Sequence, residues 1–117
     1  MNFLNYTPHA LNIVCGEEII AILPSGTVAR IDIFRKQMNA IPYSEKTSIP
    51  ITYCESGEII NLPEARFGTI FIVSAMVAEV AKRVDVMSPG ELVRDWKGVV
   101  IGCKGLSSYR FFGYNND

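Results

Sequence analysis

Gly68-Thr69-Ile70-Phe71-Ile72-Val73-Ser74-Ala75-Met76-Val77-Ala78-Glu79-Val80-Ala81-Lys82-Arg83 is the stretch whose reading decides the fold. Residues 69–73 are apolar without alternation, which predicts a strand covered on both faces. Ser74 follows at once, and its hydroxyl can accept a hydrogen bond from an early helical N–H, so it is the expected N-cap. Beyond it Met76, Val77, Val80, Ala81 and Val84 recur at helical spacing, with Glu79 and Arg83 as an i,i+4 pair on the opposite side. No other segment carries a convincing helical period. One helix is expected.

Outward from this stretch the pattern is β. Leu11, Ile13 and Cys15 alternate with Ala10, Asn12 and Val14, a strand entered through Thr7-Pro8-His9 and ended by Gly16. Glu18 to Leu23 reads as a second strand, and Pro24-Ser25-Gly26 as a turn. In a third, Thr27, Ala29, Ile31 and Ile33 share one face, while Val28, Arg30, Asp32 and Phe34 share the other. Arg30 and Asp32 can pair there as a solvated surface pair. Residues 35–48 lose all periodicity and are expected to be a long exposed connection. Ile49–Tyr53 and Glu58–Leu62 flank Cys54-Glu55-Ser56-Gly57, which predicts a hairpin. After Ser88-Pro89-Gly90 a last hairpin joins Leu92–Arg94 to Val99–Ile101 through Asp95-Trp96-Lys97-Gly98, with Gly98 in the left-handed turn position. The tail from Ser107 to Asp117 carries Tyr109, Phe111, Phe112 and Tyr114, suited to an extra strand or to another subunit. The expectation is a single domain over 1–117, α+β and mainly antiparallel β, a small barrel-like or sandwich sheet with one short helix.

Composition narrows the function classes. The chain has 117 residues, 49% hydrophobic and 20% charged, with net charge −1. That is enough chain for a core without metal or disulfide staples and too apolar for disorder. A near-neutral balance argues against nucleic-acid binding, which uses a basic face. Apolar runs stop short of the roughly 18 residues of a membrane helix, and Met1–Tyr6 lacks a charged n-region, so a soluble cytoplasmic protein is expected. Cys15, Cys54 and Cys103 form no C-x-x-C pair. They read as reduced core thiols, not as a disulfide framework or a zinc site.

Three places could carry chemistry. His9 is the sole histidine; it can pin the Thr7-Pro8 turn, contact a ligand, or act as an acid or base. A histidine-based metal site has no second histidine to use, so neither a metal nor a cofactor is expected. Ser74, at the junction of a buried strand and a helix, can be a simple cap or part of an anion-ready site. In Arg94-Asp95-Trp96 the arginine could clamp a phosphate or carboxylate and the indole could stack a base, or the pair could be a surface ion pair over a packed tryptophan. No G-x-S-x-G elbow, P-loop or paired carboxylates mark an enzyme.

Asn5-Tyr6-Thr7-Pro8-His9-Ala10-Leu11-Asn12-Ile13 resembles the N-L-T-P-H-x-[IV] opening of a family of small phage and prophage proteins. Pro24–Arg30, Gly68–Ser74, Pro89–Asp95 and Gly98–Cys103 resemble its later blocks, in order, over about two-thirds of the chain. Tyr6 in place of leucine, the charged 35–48 segment and the aromatic tail depart from the pattern. The resemblance carries Thr7, Pro8, His9, Arg94 and Asp95 forward as motif positions. Its phage setting implies an anti-defence role, in which a homo-oligomer sequesters a nucleotide immune signal. The leading expectation is therefore a non-enzymatic protein that binds a small anionic ligand through Thr7, His9, Ser74, Arg94, Asp95 and Trp96. The alternatives are a nucleotide-cleaving enzyme using His9, and a virion or host-protein interaction module anchored by the tail.

Overall fold

The computed structural model describes residues 1–110. Six strands make the main sheet: β1 (Asn2–Asn5), β2 (Leu11–Cys15), β3 (Glu18–Ile22), β8 (Thr69–Ile72), β9 (Val86–Arg94) and β10 (Val100–Ser108), in the spatial order β1-β8-β9-β10-β2-β3. The sheet curls until its two edge strands meet. Ser25 N–H donates to Asn5 C=O at 2.8 Å, and an isolated bridge pairs Asn5 with Pro24. The fold is thus α+β and mainly β, a curled, barrel-like sheet with one short helix among the described residues.

Pairing in this sheet is mixed. β9–β10 and β2–β3 are antiparallel hairpins, whereas β1–β8, β8–β9 and β10–β2 run parallel. In the β9–β10 pair Gly90 lies opposite Gly105. A Cβ on Gly90 would collide with the Lys104 carbonyl, and Gly105 takes φ +63. Glycine is required at Gly90 for space and favoured at Gly105 for its left-handed φ.

Phe71, Ile72 and Val73 are wholly buried, as the unalternating run predicts. Phe71 and Val73 pack with Val77, Ala78, Val86 and Ala29 under α1 (Ala75–Ala81), and the Tyr6 ring meets Phe71 edge-on at 5.5 Å. Phe71, Ile72, Val73 and Val86, wholly buried, each contribute about 1.5–3 kcal/mol. Ser74 caps α1 as predicted, accepting from Val77 N–H. The predicted apolar stripe is narrower than its spacing implies, because the helix stops after two turns at Lys82 in the left-handed conformation. Val77 and Ala78 are buried, while Met76, Val80 and Val84 are exposed. Arg83 pairs with Asp85, not Glu79, donating through Nε and Nη2 at 3.0 and 2.7 Å.

The largest correction concerns residues 30–60. The third strand, expected from Thr27 to Phe34, is β4 (Arg30–Gln37), and it continues into the stretch read as a loose connection. It pairs with β7 (Thr52–Ile60), a single strand where a hairpin about Cys54–Gly57 was expected. Gly57 serves a bulge, not a turn: a Cβ there would lie 2.9 Å from the Asp32 carbonyl oxygen. Toward the tip, β5 (Ile41–Pro42) pairs with β6 (Ser48–Ile49). Together these strands form an arm whose root, at Ile31 and Ile59, packs on the core. The expected Arg30–Asp32 ion pair does not form.

Cys103 is buried, but Cys15 and Cys54 are exposed free thiols, so the reading of three core cysteines fails for two of them. Ser107 and Ser108 end β10 and Tyr109 packs against the core. Phe111, Phe112 and Tyr114 lie outside the described residues. No helix among the described residues is long and apolar enough to cross a membrane.

Candidate functional site

β1 and β8 are parallel neighbours with Asn5 in register with Ile72. Thr7 and Ser74 are each two residues further on, so they arrive side by side where the strands end. Tyr6 N–H donates to Ile72 C=O at 2.7 Å and holds that junction together. Ala29 N–H donates to Tyr6 C=O at 3.0 Å, which brings the arm root alongside. Tyr6-Thr7-Pro8, Val28–Ile31 and Ser74 with the start of α1 then enclose a hollow of about 290 Å³.

The chemistry of this hollow differs from wall to wall. Asn5, fully buried, organises the Thr7 side: its Oδ1 accepts from Thr7 N–H at 2.9 Å and from the Thr7 hydroxyl at 2.6 Å. Its Nδ2 donates to His9 C=O at 2.8 Å and Ile22 C=O at 3.1 Å. The Thr7 hydroxyl is therefore committed to the scaffold. Ser74 is different, because its oxygen accepts from Val77 N–H while its own hydrogen stays available to a ligand. Arg30 is exposed on the opposite wall and forms no ion pair among the described residues. Met76, Val28 and Val77 add apolar surface. A cation, a free hydroxyl and apolar flanks suit an anionic organic molecule.

Of the predicted site residues, Thr7 and Ser74 meet here and the others do not. His9 lies just beyond Thr7 with an exposed side chain; its backbone, not its imidazole, makes the hydrogen bonds of the turn. A second hollow of about 270 Å³ follows, lined by Ala10, Leu11, Asn12, Leu92 and Ile101 among others. Arg94, Asp95 and Trp96 sit past it in the β9–β10 turn. Arg94 Nη1 donates to Gly98 C=O at 2.9 Å, and Asp95 Oδ1 accepts from Lys97 and Val99 N–H at 2.8 and 3.0 Å. Asp95 thus organises the turn in place of pairing with Arg94. Trp96 is 88% exposed with the Lys97 ammonium 5.0 Å over its ring, so it does not pack beneath the hairpin. Neither of these two hollows is lined by His9 or Arg94.

Sequence reasoning missed Arg30 as a site residue. The Arg-x-Asp spacing in a strand pointed to a pair with Asp32, and nothing local reveals that Ala29 bonds to Tyr6. Among the described residues no three His, Cys, Asp or Glu side chains gather at metal-binding range. No protein-family model, curated protein or solved structure matches the chain.

Proposed function

We propose that this chain is a non-enzymatic binding protein that captures a small anionic molecule, of the size and charge of a nucleotide, in the hollow between Tyr6-Thr7-Pro8, the arm root and Ser74. One observation carries the reading: Arg30, which forms no ion pair among the described residues, lines a hollow of about 290 Å³ together with Ser74, whose hydroxyl is free to donate. Arginine binds phosphate oxygens through two parallel N–H donors, and the apolar wall formed by Val28, Met76 and Val77 takes a base or ribose face. The resemblance of the Thr7-Pro8-His9 and Pro89–Asp95 blocks to a phage family supplies the setting. The captured molecule is then a nucleotide immune signal of the infected cell, held in the host cytoplasm and withdrawn from its receptor.

Calorimetry of the full chain against cyclic dinucleotides, cyclic trinucleotides and ADP-ribose derivatives tests this. At least one should bind more tightly than millimolar, and Arg30→Glu should weaken it by more than about tenfold. Heating the complex should release the ligand intact. Absence of binding across the panel, or equal affinity in Arg30→Glu, rejects the reading. Release of a cleaved ligand replaces it with an enzyme.

A further inference from the structure

We infer that the arm formed by residues 30–60 is a self-association element whose outer face packs against a second copy of this chain. The observation is one of surface. Along the arm Phe34, Met38, Ile41, Tyr43, Ile49 and Tyr53 are all exposed, and large apolar side chains grouped in this way mark a contact surface.

The arm itself needs a partner. β4 and β7 hydrogen-bond only to each other within the described residues, so both leave an open edge. A two-stranded ribbon alone in water is marginally stable. Register assigns its faces. Beyond the bulge Ile33, Arg35 and Gln37 lie opposite Ser56, Cys54 and Thr52, which makes a polar face outward from Ile33. Phe34 and Lys36 lie opposite Glu55 and Tyr53 on the other face, and Met38 continues it beside Ile51. On that face Phe34 is 56% exposed, Met38 48% and Tyr53 46%, and at the tip Ile41, Tyr43 and Ile49 are exposed as well.

A second copy fits this face better than a charged partner does. Residues 30–60 carry four Lys or Arg and four Asp or Glu, so two arms do not repel. Across a two-fold axis Lys36 of one copy can meet Glu55 of the partner subunit, with Phe34 and Tyr53 between them. An isologous contact requires this self-complementarity. The inference stands apart from the ligand proposal and can fail without it.

The test is the mass in solution of the full chain by sedimentation velocity, from low micromolar to about 0.1 mM, a range that brackets ordinary specific association. The wild-type chain should run as a dimer or larger. The double variant Phe34→Lys/Tyr53→Glu places a lysine opposite Glu55 and a glutamate opposite Lys36, so the ribbon gains cross-strand pairs while its outer face becomes charged. It should weaken association by about 100-fold or more, as loss of two central apolar anchors does. Gln37→Glu/Thr52→Lys makes the same change on the polar face and should leave the mass unchanged. If circular dichroism shows the first variant unfolded, Met38→Arg replaces it. A monomeric wild type, an unchanged mass in the outer-face variant, or equal dissociation by both double variants would overturn the inference.

Discussion

Replacing Asn5 by alanine removes a side chain that ties β1 to the end of β3. Asn5 is 1% exposed, and its carboxamide makes four hydrogen bonds, to Thr7 N–H, the Thr7 hydroxyl, His9 C=O and Ile22 C=O. The alanine variant strands the buried Thr7 N–H, at about 1–3 kcal/mol, and leaves the Thr7 hydroxyl only the longer bond to the His9 carbonyl at 3.1 Å. The two carbonyls are partly hydrated and add less. The expected loss is about 2–5 kcal/mol, against a total stability of roughly 6–15 kcal/mol for a domain of this size. With an unfolding entropy of about 0.25 kcal/mol/K for this length, a loss of 3 kcal/mol lowers Tm by about 12 °C. Urea unfolding followed by far-UV circular dichroism is the appropriate assay, because Trp96 is exposed in the folded chain and its fluorescence reports little. Asn5→Asp sharpens the test. It keeps the acceptor for Thr7 but sets a buried carboxylate against two carbonyls, so its folded pKa is raised. Its stability should therefore be greatest in acid and fall as pH rises through that pKa. An Asn5→Ala variant within about 0.5 kcal/mol of wild type, the range of inert surface substitutions, would refute the account of how the sheet closes.

Three further outcomes follow from named contacts. Gly90→Ala should abolish soluble, folded protein, since its Cβ would meet the Lys104 and Gly105 backbone, whereas Gly105→Ala should cost only about 1 kcal/mol for its left-handed φ. The bidentate hydrogen bond from Arg83 holds the Asp85 carboxyl below its ordinary pKa, so its contribution is present above the unfolded pKa and disappears as pH falls through the folded one; Asp85→Asn should flatten that acid limb in pH-dependent unfolding.

The sequence made some elements legible and hid others for identifiable reasons. The buried strand at 69–73, the Ser74 cap and the Gly98 turn are local: each depends on a run of apolar residues, one hydroxyl, or one positive φ, here +85 at Gly98. The arm is illegible because periodicity records burial on one face. A ribbon with open edges buries little, so Arg35, Lys36 and Gln37 alternate with nothing that betrays a strand. Glycine misled for a related reason, since Gly57 marks a bulge as readily as a turn. The helical stripe was overread because Val84 keeps the spacing after Lys82 has already ended the helix.

The candidate site follows the same division at longer range. Thr7 and Ser74 are 67 positions apart, and they meet only because β1 and β8 are parallel and in register at Asn5 and Ile72. An antiparallel pairing of the same strands would carry one of them to the far end of the sheet. Arg94 was drawn toward the same spot by chemical type, yet β9 leaves β8 at Met87 and continues to the opposite end of its hairpin with β10. Arg30 reaches the hollow instead, because Ala29 is bonded to Tyr6 and the arm begins there. Residue type names the groups able to bind an anion; strand direction and register decide which of them share a cavity. The cation is therefore the part of the site that sequence alone is least able to choose, and Arg30→Glu, more than any change at His9 or Arg94, separates this geometry from the arrangement that the motifs suggest.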